Sequence, residues 1–394
     1  MSDLFWPGDE RAGSLLSDHA LVTAMVAVEQ AWLDVLAENG TADERISLVA
    51  PDDLEALARA AAAGGNPVQP LVEHLRGQSP WVHRGLTSQD VLDTALMLCL
   101  RDVLLVVQAD LGRQVRTLQG LAAEHRGTTM AGRTLTQHAV PITFGLKAAG
   151  WLSSVLDAFV AVVALRQPVQ VGGAAGTLAA IVELTGSAST ALEMRDATAR
   201  RLGLVPAPSW HTTRQPVTAI GDALVTCTDA WGRIATDVAT LSRPELGELA
   251  EPDPGTSSTM PHKQNPVLSV LIRRAAVTGP PLAAILHSAA ALAGDERPDG
   301  AWHAEWATLR DLGRRTIVAG SQATDLLSGL RIDADRMGMT ARASWDDLTA
   351  ERSAVAGFAG ADPGAGDYLG AVDPIIDAVL SRAEHVLDGQ EERR

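Results

Sequence analysis

The sequence of 394 residues contains very little lysine, asparagine or cysteine. Lysine occurs only at Lys147 and Lys263, so nearly all basic side chains are arginine. The two cysteines, Cys99 and Cys227, lie in apolar segments with no Cys or His at metal-ligand spacing, which favours buried thiols over a disulfide or a zinc site. Because Lys263 escapes the bias against lysine, and Asn265 beside it is one of three asparagines, both are candidate functional residues.

The chain also lacks positive charge and long uninterrupted apolar runs. Its 48 acidic and 32 basic residues give a formal charge of −16, which argues against nucleic acid or an anionic membrane surface as a partner. No run approaches the roughly 20 consecutive apolar residues of a spanning helix, and the N-terminal residues lack a basic flank with an apolar core. We therefore expect a soluble, cytoplasmic protein with no membrane partner.

Helix signals dominate what is present, and alternating apolar and polar runs are nearly absent, so the fold class is predicted as all-α. From Ser88 to about Glu124 there is no proline, and apolar residues recur at three- and four-residue steps, which predicts a helix about 55 Å long. Further long helices are predicted over Pro141–Leu165, Gln215–Leu241, Pro266–Leu292 and Trp302–Leu327. Helices apolar on more than one face predict an elongated bundle completed by other subunits, hence a homo-oligomer.

Three domains are predicted from the changes in this pattern. Residues 1–87 form an N-terminal helical domain, residues 88–330 the central long-helix bundle, and residues 331–394 a short C-terminal helical domain. Within the first domain, Asp18 is predicted to cap a helix that ends near Asn39, and Pro51 to open the next helix.

Polar segments interrupt the apolar pattern at three places. The most informative, Glu248–Pro266, reads ELAEPDPGTSSTMPHKQNP and predicts a flexible loop that leads into a helix. A helix N-terminus has unpaired N–H groups and a partial positive charge, so with Lys263 and Asn265 it suits a carboxylate or a developing oxyanion. Segment Gly132–Pro141 contains His138, a candidate proton donor, carboxylate ligand or helix cap. Segment Trp81–Asp90 ends in Thr87 and Ser88, which are either helix caps or ligand-binding residues.

The string SSTMPHKQNP at Ser257–Pro266 resembles the signature loop GSSxMPxKxNP of the fumarase/aspartase superfamily, and the resemblance extends from about residue 15 to about residue 330. It implies a homotetramer in which three subunits build each site, Ser257 as the catalytic base, and a substrate carboxylate bound by Lys263 and Asn265. It calls for no metal and no organic cofactor. The candidate catalytic residues are Ser257 and His138, and the candidate substrate-binding residues are Thr87, Ser88, Arg133, Thr134, Gln137, Arg214, Ser258, Met260, Lys263 and Asn265.

Within the superfamily, the strings GRTLTQHAVPITFGLKAAGW, WHTTR, GELAEP and WHAEW are most similar to bacterial enzymes that lactonise 3-carboxy-cis,cis-muconate in protocatechuate degradation. Many lyases of the superfamily have a histidine general acid where this chain has Leu135. A carboxylate leaves without protonation, so Leu135 favours cycloisomerisation of a small polycarboxylate over release of an amine. Thr256, in place of the usual glycine, restricts the hinge of the loop. An adenylosuccinate-type lyase that releases fumarate, and a non-catalytic helical scaffold, remain as alternatives.

Overall fold

The computed structural model describes residues 3–42, 46–256, 259–260, 262–360 and 367–391, and it confirms the all-α class, with 66% of these described residues helical. A short 3-10 helix, Asp9–Ala12, precedes the α-helices. These are α1 (Asp18–Glu38), α2 (Leu54–Gly64), α3 (Val68–Arg76), α4 (Ser88–Glu124), α5 (Phe144–Ala164), α6 (Ala179–Thr185), α7 (Ala188–Leu202), α8 (Gln215–Leu241), α9 (Val267–Ala291), α10 (Gly300–Ser328), α11 (Ala334–Ala343), α12 (Trp345–Leu348), α13 (Ala350–Ala359) and α14 (Val372–Glu391). The strands are β1 (Thr129–Thr134), β2 (Gln137–Thr143), β3 (Leu249–Ala250), β4 (Gly255–Thr256), β5 (Gln264–Asn265) and β6 (Arg331–Ile332).

The long helices lie where the apolar periodicity predicted them. The observed and predicted structures differ at the first residues of some helices, as α1 and α2 show. The cap of α1 is Ser17, whose Oγ accepts a hydrogen bond from the Ala20 N–H at 3.1 Å, and not Asp18. Helix α2 begins at Leu54, because Asp53 accepts from the Ala56 N–H at 2.8 Å and caps it. A side-chain acceptor satisfies an otherwise unpaired N–H of the first turn, which proline at the first helical position cannot do.

Residues 129–143 form an antiparallel hairpin in a region that was expected to lead directly into a helix at Pro141. Strand β1 pairs with β2 so that Arg133 faces His138, and α5 begins only at Phe144. Leu135 and Thr136 form the turn, with φ of 49° and 69°. Positive φ at both central residues is typical of type I′ hairpin turns, which usually carry Asn-Gly. The Leu-Thr turn gave no such signal, so the sequence did not predict the hairpin.

The chain divides into two compact units. The first contains Met1–Val106, Ala164–Leu224 and Pro280–Val318, and the second contains Val107–Val163, Val225–Gly279 and Ala319–Arg394. Four boundaries fall inside α4, α8, α9 and α10, and the fifth lies at the last residue of α5. The division into domains at residues 87 and 330 stays a prediction.

Each unit has its own core. In the first unit, Trp32 is fully buried, and its Nε1–H donates to the Arg84 carbonyl at 2.7 Å. In the second unit, the rings of Phe144 and Trp151 meet edge to face with centroids 5.7 Å apart. Trp231 in the same unit donates from Nε1 to Gln114 Oε1 at 2.7 Å. Large rings whose polar atoms are paired stabilise the core without an unsatisfied donor.

By length and composition alone, α1, α5 and α9 could each cross a membrane. The expectation from the sequence concerned uninterrupted apolar runs, and charged residues interrupt these helices, such as Lys147 and Asp157 in α5. The most apolar window is 56% buried in α1 and 50% buried in α5, so much of their apolar surface belongs to the core, whereas in α9 only 28% is buried. The absence of a membrane partner and the cytoplasmic location stay predictions.

The two thiols are free and buried, as the sequence predicted. The pKa of Cys99 is raised to about 12, chiefly by burial and also by the neighbouring Asp102, while Arg101 acts in the opposite direction. Burial also raises the pKa of Cys227. Because a thiolate is the reactive form, neither cysteine is a nucleophile candidate.

Candidate active site

Asp90, at the N-terminus of α4, accepts hydrogen bonds from several backbone N–H groups of the first unit. Its carboxylate accepts hydrogen bonds from the Thr87 N–H at 3.0 Å and from the Gly172 and Gly173 N–H groups at 2.9 Å each. The spacing of Thr87 and Asp90 is that of a capping box, in which an acid three residues into the helix reaches back to the cap residue. The backbone of Thr87, a predicted substrate-binding residue, is thus held by a buried carboxylate that was not predicted from the sequence, and Ser88 is the first residue of α4.

His211 is the buried partner of this carboxylate. Its Nε2 lies 2.9 Å from Asp90 Oδ1, and its Nδ1 lies 3.1 Å from Ser209 Oγ. A side chain on Gly172 would crowd this contact, since a Cβ there would lie 2.5 Å from Ser209 Oγ. Both ring nitrogens have partners, so the structure gives His211 a positioning role in this conformation.

Arg214 lies fully buried between two acids, Asp93 and Glu305. Nε and Nη2 donate to Glu305 at 3.0 and 2.5 Å, and Nη1 and Nη2 donate to Asp93 at 2.7 and 3.1 Å. The remaining Nη1–H faces the carbonyls of Trp210 and His211 at 3.4 Å. No guanidinium N–H is left for a substrate, so the prediction that Arg214 binds substrate is corrected: its partners are internal carboxylates.

In this cluster the positive charge of Arg214 and the negative charges of Asp93 and Glu305 stabilise each other. Burial alone would lower the pKa of Arg214, but Asp93 and Glu305 outweigh it and raise that pKa above its ordinary value. Burial raises the pKa of Glu305, and hydrogen bonding to Arg214 partly offsets that rise. Trp302 adds a hydrogen bond from Nε1 to Asp93 at 2.9 Å. The cluster is therefore structural, and its stability depends on the guanidinium.

In the second unit, Arg133 is also committed to an internal acid. Its Nη1 and Nη2 donate to the two oxygens of Glu248 at 2.9 and 2.7 Å, and Glu248 is completely buried. Nη1 also contacts the Ala131 carbonyl at 3.3 Å. This bidentate pair fixes β1 to the segment that carries Glu248, and the role of Arg133 in binding substrate stays a prediction.

The tip of the hairpin is open. The side chains of Thr134, Gln137 and His138 are exposed, and that of Leu135 is 96% exposed. Gln137 contacts only its neighbour Thr136, at 3.3 Å, among the hydrogen bonds described for it. These side chains are accessible to a ligand, and whether His138 acts as proton donor or carboxylate ligand stays open.

The N-terminus of α9, expected to hold a substrate carboxylate, already holds Glu251. The Glu251 carboxylate accepts from the Leu268 N–H at 3.0 Å, the Ser269 N–H at 2.7 Å and the Ser269 hydroxyl at 2.6 Å. Glu251 is 2% exposed, so solvent does not compete for these donors. An internal carboxylate therefore occupies the N–H groups of Leu268 and Ser269, and a substrate carboxylate at this end of α9 would need other donors, such as neighbouring side chains.

Those neighbours lie on the signature loop. Asn265 belongs to β5, which pairs with β4 at Gly255 and Thr256, and Lys263 and Met260 precede it with exposed side chains. Within the described part of the chain, Lys263 forms no ion pair, so its ammonium is available to an anion. A cavity of about 530 Å³ borders Gln264 and Arg331, a size typical of small-molecule sites. Ser257 and Ser258 lie outside the described residues.

Comparison with known proteins identifies the family. Residues 20–278 match the family described as Lyase. The chain belongs to the fumarase/aspartase superfamily of lyases. It is 44% identical over 362 residues to a nitrosuccinate lyase of Streptomyces davaonensis, covering 86% of this chain and 76% of the relative. It is 40% identical over 299 residues to a 3-carboxy-cis,cis-muconate cycloisomerase of Bradyrhizobium diazoefficiens, covering 72% of this chain and 65% of the relative. The crystal structure of a 3-carboxy-cis,cis-muconate lactonizing enzyme from Pseudomonas putida superposes with a TM-score of 0.79 at 29% identity, covering 95% of this chain and 97% of that one.

The superfamily assignment confirms that this lyase is an enzyme of the expected type. Its predicted site residues fall in both units: Thr87, Ser88 and Arg214 in the first, and those of the hairpin and of the signature loop in the second. Their convergence on one substrate stays a prediction. The buried acids Asp90, Asp93, Glu248 and Glu251 were not predicted as site residues from the sequence. The capping-box spacing at Thr87 could have revealed Asp90.

Proposed function

We propose that this lyase adds or eliminates a weakly basic anion across a carbon–carbon bond of a small polycarboxylate. The observation that carries the proposal is Leu135, an aliphatic side chain at the exposed hairpin tip where many relatives have a histidine general acid. Amine and alkoxide leaving groups need a proton donor, whereas carboxylate and nitrite depart as stable anions.

One such reaction is the lactonisation of 3-carboxy-cis,cis-muconate, supported by the Bradyrhizobium and Pseudomonas relatives. One carboxylate of the substrate attacks the conjugated double bond and forms the C–O bond of the lactone. The electron pair moves to the neighbouring carbon, where its carboxyl group delocalises it as an enediolate. Ser257 then delivers a proton to that carbon, and in the reverse direction it removes it.

A second candidate substrate is nitrosuccinate, favoured by the relative with 44% identity over 86% of this chain. Here Ser257 removes a proton from the carbon next to the one bearing the nitro group, and the resulting enediolate expels nitrite. The products are fumarate and nitrite. The same residues serve both reactions, because each forms a carbanion beside a carboxylate and neither requires a protonated leaving group.

An assay with three substrates tests the proposal. Loss of conjugated-diene absorbance from 3-carboxy-cis,cis-muconate, or colorimetric release of nitrite from nitrosuccinate, is the expected result. Release of fumarate from adenylosuccinate, with no reaction of the other two, would favour the adenylosuccinate-type alternative and contradict the argument from Leu135. Turnover of none of the three would favour a non-catalytic scaffold.

Lys263 is proposed to bind a substrate carboxylate together with Asn265, because Glu251 occupies the N-terminus of α9. Replacing Lys263 with Met should raise KM about 10- to 100-fold, since a charge-assisted hydrogen bond contributes roughly 1.5–3 kcal/mol, and should change kcat little. Steady-state kinetics on the substrate that reacts would measure the split. The matched control is Lys147→Met, which removes the only other lysine, the partner of Asp237 at 3.5 Å, and should leave KM unchanged. A lower kcat at unchanged KM for Lys263→Met would contradict this role.

We also propose that the lyase assembles as a homotetramer with shared active sites. Helix α9 supports this proposal, because it exposes Val270, Val277 and Ile285, at 56%, 74% and 42% of their surface. Apolar side chains on one long helix favour burial against a second copy. Light scattering coupled to gel filtration should give about four times the chain mass of 41.3 kDa. A monomer mass at micromolar concentration would contradict the assembly.

A further inference from the structure

The acidic segment, residues Glu248–Glu251, is separated from the signature loop by residues 252–256, and hydrogen bonds hold its backbone. Its strand β3 pairs with β6, Leu249 opposite Ile332 and Ala250 opposite Arg331. The Glu248 carbonyl accepts from the Asp333 N–H at 3.1 Å. Arg331 donates from Nε and Nη2 to the Glu251 carbonyl at 3.0 and 2.7 Å. Hydrogen bonds at both ends therefore hold the segment rigid relative to the start of α11.

The two acids of this segment extend to two different elements of the second unit. Glu248 pairs with Arg133 on β1, and Arg133 faces His138 across the hairpin. Glu251 binds the first turn of α9 through Leu268 and Ser269. Both carboxylates are buried, at 0% and 2% exposure, and both oxygens of each accept hydrogen bonds from the donors named above. Each is thus unavailable for proton transfer to a substrate.

Glu251 also joins the two ends of the signature loop. The chain leaves the acidic segment at Pro252, passes through the signature loop and β5, and enters α9 at Val267. Glu251 therefore links the residue before this stretch to the helix after it. The contact places a negative charge at the positive end of α9 and satisfies two of its unpaired N–H groups. The β4–β5 pairing lies between these two ends and contains Asn265.

We infer that Glu251 and Glu248 are positioning residues. Together they fix the positions of the signature loop and the hairpin relative to each other. The inference rests on the proposed function, because Glu251 and Glu248 are inferred to position the segments that carry Ser257, Lys263 and His138. Chemistry by positioned groups is sensitive to displacements of about 1 Å. Loss of Glu251 should therefore reduce turnover more than substrate binding.

The test is Glu251→Gln, which keeps the size of the side chain but turns an N–H donor toward the amides of α9. We expect kcat to fall about 100-fold with KM changed less than threefold, as for other losses of alignment. Hydrogen exchange of the Leu268 and Ser269 amides should rise, a readout that needs no substrate. Ser269→Ala, which removes only the hydroxyl contact, should show a smaller loss, and Glu251→Asp should recover part of the activity.

The control is Asp9→Asn in the first unit, which breaks another buried carboxylate pair, with Arg314 Nη2 at 2.7 Å. It should lower the melting temperature without lowering kcat at 25 °C. Wild-type kcat in Glu251→Gln despite faster exchange at Leu268 and Ser269 would overturn the inference, as would unchanged exchange there. If the wild type turns over no tested substrate, the proposed function fails, and exchange in Glu251→Gln still reports whether the carboxylate fixes α9.

Discussion

Replacing Ser257 with alanine is expected to lower kcat by about 10³- to 10⁴-fold while substrate binding stays nearly unchanged. The substitution removes the hydroxyl that we propose to transfer the carbon-bound proton, and it leaves the proposed carboxylate ligands Lys263 and Asn265 in place. An unassisted serine is a poor base, so the proposed mechanism requires N–H donors that stabilise the enediolate. Steady-state kinetics and a binding titration with substrate or product would separate the two effects.

Ser258→Ala is the informative comparison, because it removes a neighbouring hydroxyl of the same loop. Ser258 is a predicted substrate-binding residue, so its loss should raise KM and leave most of kcat. Equal losses of kcat in the two variants would mean that the loop as a whole, and not one hydroxyl, determines turnover. Unaltered turnover in Ser257→Ala would remove Ser257 from the mechanism.

The sequence predicted the elements that repeat a simple pattern. Helix α4 begins and ends at the predicted residues because its apolar side chains recur without proline over the whole length. The hairpin was not predicted because Leu135 and Thr136 occupy conformations that usually require asparagine or glycine. Local sequence determines a helix over many residues, whereas a two-residue turn offers only one place to recognise it.

The candidate site was predicted only in part, for a reason that concerns its arginines. Lys263 was noticeable because lysine is so rare, but apart from Lys147 all the other Lys and Arg positions are arginine. In sequence, neither Arg133 nor Arg214 can be distinguished from an arginine that binds substrate. Their partners, Glu248 and the pair Asp93 and Glu305, lie 115, 121 and 91 residues away. Such long-range pairs are visible only in the fold, and burial decides whether a guanidinium is free.

The burial of Arg214 leads to the largest expected effect on stability. Replacing Arg214 with Met should destabilise the protein by about 3–5 kcal/mol, because Asp93 and Glu305 would remain buried without a counter-charge. The melting temperature should fall by about 5–15 °C, measured by calorimetry or circular dichroism. Arg310→Met is the matched control in the same unit: its half-exposed pair with Asp18, at 3.5 Å, contributes about 0–1 kcal/mol.

The pH dependence of Arg214→Met identifies the cause of the loss. Burial already raises the pKa of Glu305, and without Arg214 nothing offsets that rise. An acid whose pKa is higher in the folded than in the unfolded protein stabilises the fold at low pH, and that contribution is lost as pH rises through the folded value. The variant should therefore be less impaired at pH 5 than at pH 8. Adding Asp93→Asn and Glu305→Gln should recover part of the stability, because the unpaired charges are then gone. A loss that is independent of pH and unchanged by these additions would mean that Arg214 stabilises the unit through packing.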